Sequence, residues 1–157
     1  MGTVRRAVPL LISLVLVSAG CGSSDDGGTP AACLAPTATY LKALEAAPEP
    51  VRLAGETPIS DCLVDDQSAG ELGDVGESLV GAATILSAAG EKHPGGEQAL
   101  RLGYLVGAVE EGASETSGIH TDLVRRIEAA SSYGRHGGQN SAELAYARGY
   151  AAGRSDG

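Results

Sequence analysis

The histidine and acidic side chains are the groups with which this chain could perform acid–base or metal chemistry. The three histidines, His93, His120 and His136, are widely spaced, and none has a second histidine four residues away. That spacing would place two metal ligands on one helix face. The aspartates within residues 61–66 lack the alternating spacing and the central glycine of a calcium loop. We therefore predict no metal site and no cofactor, with a solvated acidic surface preferred over weak calcium binding.

Carboxylate pairs and nucleophiles are the other route to catalysis. Glu110, Glu111 and Glu115 could form a carboxylate pair for acid–base work, but neighbours on a helix face different ways, so surface charge is the preferred interpretation. The sequence contains no Gly-x-Ser-x-Gly nucleophile motif and no phosphate-binding loop. We therefore predict no catalytic residue.

Five residues are weak candidates for contact with a ligand or partner. His120 lies beside the apolar stripe of its predicted helix, where a partly buried, hydrogen-bonded histidine is more usual than a catalytic one. Arg135 and His136 lie in a glycine-containing loop that could bind an anion. Tyr146 and Tyr150 are four residues apart and share a helix face. Packing is the preferred role for these tyrosines, and an exposed partner surface is the alternative.

The N-terminal segment has the layout of an export signal. Arg5 and Arg6 precede an apolar run from Ala7 to Ala19. This run is shorter than the roughly 20 residues that a membrane-spanning helix needs. A positive start, a short apolar core and small residues at the end are typical of a secretory signal. We therefore predict that residues 1–20 are a signal peptide.

The segment 17–21, Val-Ser-Ala-Gly-Cys, resembles the lipobox of bacterial lipoproteins. The resemblance implies cleavage before Cys21 and attachment of a diacylglycerol to its sulfur. Ser18 stands where leucine is commonest, which predicts slower cleavage. The resemblance implies a protein in the cell envelope, lipid-anchored to a membrane on its extracytoplasmic side. An ordinary signal peptide followed by a spare cysteine is the alternative. The similarity covers only residues 1–21, and no family is recognised for the mature domain.

The two remaining cysteines, Cys33 and Cys62, form an even pair in a chain predicted to be exported. Such a pair in an oxidising compartment most often forms a disulfide. Neither cysteine belongs to a Cys-x-x-Cys motif, so we do not expect a redox-active role. Closing a loop of this length should stabilise the fold by roughly 3–4 kcal/mol in the chain-entropy model.

The charge of the chain excludes nucleic acid as a partner. The formal net charge is −9, and loss of Arg5 and Arg6 with the signal lowers it to −11. Nucleic-acid binding requires a basic surface, and anionic lipid headgroups would not attract this chain strongly. The predicted membrane contact is therefore the lipid on Cys21, and an envelope protein is the predicted partner.

Composition and apolar periodicity divide the mature chain into one helical domain with two flanking segments. We expect a flexible tether over residues 21–31, a helical domain over 32–152 and a disordered tail over 153–157. Within the domain, the Ser68–Glu71 capping box marks one helix start. Residues 51–67 are expected to form a loop pinned by Cys62. The predicted helical segments are 36–46, 68–90, 97–111, 119–130 and 140–152.

These segments predict an all-α fold, a small antiparallel bundle of four or five helices with one disulfide. Across residues 112–118, glycine content favours a break, whereas heptad-like apolar spacing favours one long, bent helix over 97–131, which we prefer. Ala99, Gly103 and Gly107 form a row of small residues that would let a neighbouring helix backbone approach closely. The four glycines between 70 and 81 are interpreted in the same way.

Three function hypotheses follow, and the first is preferred: a lipid-anchored, non-catalytic binding or interaction module. An exposed apolar patch would favour it. The second is a small-ligand carrier, which would need a closed cavity lined by leucine, valine and tyrosine. The third is a small hydrolase, which would need His120 or another titratable group in a cleft with a strongly shifted pKa.

Overall fold

The computed structural model describes residues 28–93, 96–132 and 140–157. These residues contain five α-helices and three short 3-10 helices, and the described ranges contain no β-strand. The α-helices are α1 (Thr37–Ala43), α2 (Ala69–Lys92), α3 (Gly96–Ser114), α4 (Thr121–Ala130) and α5 (Asn140–Asp156). The 3-10 helices are Ala31–Leu34, Leu44–Ala46 and Ser60–Cys62. The prediction of a small all-α bundle with one disulfide is confirmed.

The start of α2 shows how local chemistry fixes a helix boundary. The Ser68 hydroxyl accepts a hydrogen bond from the backbone N–H of Glu71 at 3.3 Å, and the Glu71 carboxylate accepts from the backbone N–H of Ser68 at 3.2 Å. Two of the N–H groups that a helix start leaves without backbone partners are therefore satisfied. The predicted capping box is confirmed.

The structure separates α3 from α4, so the expected continuous helix over 97–131 is wrong. In the turn between the two helices, side-chain hydrogen bonds replace the backbone hydrogen bonds of a continuous helix. Thr116 Oγ1 donates to a carbonyl oxygen in the last turn of α3 at 2.9 Å, and the Asp65 carboxylate accepts from the backbone N–H of Ser117 at 2.6 Å. Gly118 then adopts a φ of 90°, which glycine reaches without strain.

The disulfide joins the segment before α1 to the loop before α2. Cys33 and Cys62 are bonded with their Cα atoms 5.3 Å apart, and both are fully buried. The Tyr40 hydroxyl donates to the carbonyl oxygen of Cys33 at 2.6 Å. The loop that precedes α2 is therefore pinned at Cys62, as predicted.

Tyrosine supplies the largest side chains of a core that has no phenylalanine or tryptophan. Tyr40 and Tyr104 are fully buried among leucine, valine, isoleucine and alanine side chains of α1, α2, α3 and the loop before α2. The Tyr104 hydroxyl accepts from the backbone N–H of Val51 at 2.9 Å, which satisfies two buried polar groups at once. Burial raises the pKa of Tyr104.

The helices α3 and α5 pack with their backbones in contact. A Cβ atom on Gly149 would overlap the carbonyl oxygen of Leu100, and one on Gly153 would overlap that of Tyr104. The two helices run parallel, because the contacts advance in the same direction along both. This pair departs from the antiparallel arrangement that the sequence predicted, and α4 lies between its two helices in the chain.

The row of small residues on α3 makes the close contact that was predicted for it. Gly103 and Gly107 lie against the α5 backbone, and a Cβ on either would overlap a carbonyl oxygen of α5. The glycines of α2 divide into two kinds. The space around Gly70 and Gly73 is open, so the predicted close approach is wrong there, whereas a Cβ on Gly76 would contact Leu123 of α4 and one on Gly81 would overlap the Thr37 side chain of α1. None of the helices in the described ranges has the length and apolar character required to cross a membrane.

The end of α5 is tied to the loop that the disulfide closes. Helix α5 continues to Asp156, whereas a disordered tail was expected from residue 153. Arg52 donates to the carbonyl oxygen of Asp156 at 2.7 Å, and the Ser60 hydroxyl donates to the carbonyl oxygen of Gly157. These tertiary contacts order a glycine-containing segment that has little helix propensity of its own.

Candidate functional site

An open groove of about 500 Å³ lies where α3, α4 and α5 meet. Its walls combine four charged side chains with small apolar ones, and three helices contribute. The lining residues are Glu110, Ala113, Ser114, Thr121, Val124, Arg125, Glu128 and Arg154.

Helical spacing explains why these residues share one surface. The α3 residues are three and four positions apart, and the α4 residues recur within two turns, so each set lies on one helix face. On the other side of α4, Leu123 and Ile127 are buried, and Leu123 packs against Gly76 of α2. This apolar side holds α4 to the bundle and turns Val124 and its neighbours toward the groove.

Both arginines of the groove have acidic partners. Arg154 forms an ion pair with Glu111 at 3.1 Å, with each side chain about one third exposed. Arg125 forms an ion pair with Asp122, and both of these side chains are well exposed. Solvent screens such pairs, so they contribute little to stability and serve mainly to hold the guanidinium groups at the rim.

Tyr150 of α5 contacts Glu110 in the wall of the groove. Its hydroxyl donates a hydrogen bond to the Glu110 carboxylate, and this bond, together with burial, raises the pKa of Tyr150. The tyrosine therefore stays protonated and keeps the carboxylate in place. The ring of Tyr150 stacks on that of Tyr146, with centroids 6.5 Å apart and planes 15° from parallel. Tyr146 itself is partly buried against the core.

His120 lies one residue before the groove but faces the interior. Its side chain is fully buried, with Nδ1 3.0 Å from Thr116 Oγ1 and Nε2 2.8 Å from Gln67 Oε1. Burial lowers the pKa of His120, while the Asp65 carboxylate acts in the opposite direction. The arrangement favours a neutral, structural imidazole, and His120 does not line the groove.

The remaining sequence candidates do not meet at this groove. Cys21, Arg135 and His136 lie outside the described residues. Glu110 and Glu111 contact different α5 side chains, Tyr150 and Arg154, and so do not form a carboxylate pair of the catalytic kind. Within the part of the chain that the structure describes, no three histidine, cysteine or acidic side chains are placed to hold a metal ion.

Sequence reasoning missed most of the groove. The missed residues include Val124, Arg125, Glu128 and Arg154. The sequence did contain a signal for a shared surface. The groove residues between 121 and 128 recur at helical spacing, and Arg154 lies four residues after Tyr150 on the same helix face. What it could not reveal is that α5 runs parallel to α3 and brings Arg154 beside the last turns of α3.

No protein-family model matches this chain, and no curated protein or solved structure is significantly similar to it.

Proposed function

We propose that this protein is a lipid-anchored binding module of the cell envelope, and that the groove between α3, α4 and α5 receives its partner. The observation that carries the proposal is the groove itself. It is open, it draws side chains from three helices, and it combines apolar and charged groups. Recognition surfaces combine these properties, with apolar area for affinity and polar groups for orientation.

The shape of the groove favours a partner surface over an enclosed carrier cavity. A carrier would surround most of its ligand with apolar walls. Here Ser114, Thr121 and Arg125 are exposed along the rim. A bound segment would therefore keep one side in solvent, as part of a larger partner does.

The predicted anchor limits where the partner can be. Thr29 accepts a hydrogen bond from the Gln67 amide at 2.8 Å, so this residue belongs to the folded body. Seven residues separate Cys21 from Thr29, and the eight steps between the two Cα atoms can span at most about 28 Å. A lipid on Cys21 would therefore keep the groove within a short distance of the membrane surface, where envelope proteins are concentrated.

The anchor is tested by replacing its cysteine. In cells fed a radiolabelled fatty acid, we expect the natural chain to carry label and to sediment with membranes, and Cys21→Ala to do neither. Two saturated chains would bury many methylene groups at about 0.8 kcal/mol each, which makes the difference large. The assignment would be contradicted by a Cys21→Ala protein that remains in the membrane fraction and differs in mass from the natural protein only by the substituted side chain.

The groove is tested by photo-crosslinking in intact cells. A benzoylphenylalanine in place of Thr121, on the groove rim, should form an adduct with a defined envelope protein. The same residue in place of Thr84, which is exposed on α2 and does not line the groove, is the matched control. Identical adducts from both positions, or none from Thr121, would argue against the groove as the binding surface.

A further inference from the structure

A second, smaller depression of about 210 Å³ lies between the first two turns of α2 and the start of α4. Its walls combine aliphatic side chains with two glycines and two charged residues. Its most exposed large apolar side chain is Ile119, in the turn before α4. We call this surface the Ile119 patch, and its lining residues are Ala69, Leu72, Gly73, Gly76, Ile119, Asp122, Leu123 and Arg126.

The predicted tether joins the folded body at the edge of this patch. The Gln67 amide nitrogen donates to Thr29 at 2.8 Å, and the amide oxygen lies 2.8 Å from Nε2 of His120. One side chain therefore bridges Thr29 to the residue that follows Ile119. Gln67 is also only two residues before Ala69, at the α2 end of the patch. Both walls of the Ile119 patch thus begin beside the point where the chain arrives from Cys21.

A lipid on Cys21 would keep this part of the body close to a bilayer. The chain from Cys21 to Thr29 spans at most about 28 Å, and any less extended conformation brings the patch nearer to the membrane. A link of this length gives the linked surfaces an effective concentration in the millimolar range. An apolar contact too weak to bind a free protein is therefore enough to hold a tethered one.

The residues of the patch suit the boundary between lipid headgroups and acyl chains. Ile119 and Leu72 offer aliphatic surface, and Arg126 is exposed beside them. Among the described residues no ion pair of Arg126 is found, so its guanidinium can reach a lipid phosphate, whose geometry it matches. Asp122, the acid of the patch, is held in an ion pair with Arg125. The patch therefore joins apolar contact to a cationic group that fits a headgroup.

We propose that the Ile119 patch rests on the bilayer that holds the lipid of Cys21, with Ile119 and Leu72 at the level of the headgroups. This inference goes beyond the proposed function, but it rests on the lipid anchor of that proposal. It also orients the molecule. At 100° per residue, Asp122 and Arg126 lie on the face of α4 opposite to its groove residues. The groove between α3, α4 and α5 would therefore open away from the membrane surface.

A tryptophan placed in the patch tests the contact. The chain contains no tryptophan, so an introduced one can be excited apart from the five tyrosines. The lipidated Ile119→Trp protein is reconstituted into vesicles of phosphatidylcholine, whose neutral headgroups do not repel the acidic chain. Part of this lipid is brominated near the headgroup end of its acyl chains. We expect bromine to reduce the tryptophan emission at least about twofold, because an interfacial side chain lies within about 10 Å of the acyl chains.

Two further positions show whether the quenching belongs to the patch. Ala69→Trp, on the α2 wall, should be quenched like Ile119→Trp, which excludes local misfolding of one variant as the explanation. Ile85→Trp is the matched control, because Ile85 is 49% exposed and Ile119 is 42% exposed. Ile85 lies about 24 Å farther along α2 than Ala69, so bromine should leave its emission nearly unchanged. Adding Cys21→Ala to Ile119→Trp should remove the quenching, since the tether supplies the effective concentration.

Three results would overturn the inference. They are equal quenching at Ile119 and Ile85, quenching of Ile119→Trp that survives Cys21→Ala, and no quenching at Ile119 or Ala69, which would leave a protein as the candidate occupant. The fatty-acid label and the Thr121 crosslink judge the proposed function separately. A labelled protein that crosslinks through Thr121 but shows no quenching keeps the proposed function and loses the membrane contact. A protein without label loses the anchor, and the inference fails with it.

Discussion

Each ring nitrogen of His120 has a hydrogen-bond partner, and the partner of Nε2 indicates that this nitrogen carries a proton. The Gln67 amide nitrogen donates to Thr29 at 2.8 Å and to the carbonyl oxygen of Cys62 at 3.0 Å. Its amide oxygen is therefore directed at His120 and accepts the Nε2 proton. Nδ1 lies 3.0 Å from the Thr116 hydroxyl, whose one proton is shared between Nδ1 and the carbonyl oxygen of Ala113, and burial favours the neutral form of the imidazole. Through Gln67, the residue links α4 to Cys62 and to Thr29.

We predict that His120 makes stability depend on pH. Because burial lowers its pKa in the folded state, the unfolded chain binds a proton more readily. The stabilisation is fully present above the unfolded pKa of about 6.5 and is lost as pH falls through the lower folded value. Urea unfolding of the natural chain and of His120→Gln at several pH values checks this, and the variant should show the flatter profile.

His93→Gln provides the control for this measurement, because His93 is exposed at the end of α2. This variant should follow the natural chain across the same pH range. A His120→Gln profile as steep as that of the natural chain would show that other groups cause the pH dependence.

The contact between α3 and α5 depends on glycine, because glycine residues let the two helix backbones touch. In most helix pairs, side chains separate the axes by 8–10 Å. Here carbonyl oxygens of α3 occupy the positions that Cβ atoms would need at Gly149 and Gly153. Each glycine makes its helix less stable than alanine would, and the van der Waals contacts between the two backbones compensate for this loss of stability. The close approach also brings Tyr150 and Arg154 within reach of Glu110 and Glu111.

Gly149→Ala should therefore destabilise the protein. The added methyl group cannot be accommodated without moving α5 away from α3, and overpacking of this kind costs roughly 1–3 kcal/mol or more. The matched control is Gly73→Ala in α2, where the space is open. The control should stabilise the protein by about 0.5–1 kcal/mol, because alanine is the better helix former. Thermal unfolding that shifts both variants in the same direction would contradict this account of the α3–α5 contact.

The disulfide organises the molecule beyond its own neighbourhood. It closes the chain between Cys33 and Cys62, and the loop inside it contains Val51, Arg52 and Ser60. These three residues contact Tyr104 of α3 and the last two residues of the chain. The loop thus connects α1 to the α3–α5 pair and supports the wall from which Arg154 reaches the groove.

Removal of the disulfide tests this role. Cys33→Ser with Cys62→Ser should lower the free energy of unfolding by about 3–4 kcal/mol, because a loop with a sequence separation of 29 residues is released in the unfolded chain. Urea unfolding with and without dithiothreitol measures the loss. The reductant should destabilise the natural chain by a similar amount and leave the double variant unchanged. A double variant as stable as the natural chain would contradict the proposed role.

The sequence alone was enough for the features that local chemistry controls. The capping box at Ser68, the helical segments outside residues 112–118, the pairing of Cys33 with Cys62 and the close approach of a helix to Gly103 and Gly107 were all predicted and are confirmed. Each depends on residues near in sequence, or on the small number of ways in which two cysteines can pair. The lipid on Cys21 remains a prediction of the same local kind.

Only the tertiary structure decided the break between α3 and α4, the parallel arrangement of α3 and α5 and the position of the groove. The break depends on Asp65, which is distant in sequence from the turn that it stabilises. The helical end of α5 depends on Arg52 and Ser60 in the same way. Periodicity records which face of a helix is apolar, but not which helix covers it or in which direction that helix runs. Glu110 and Arg154 therefore share one surface because α3 and α5 pack together, and this contact between distant parts of the chain leaves no local pattern in the sequence.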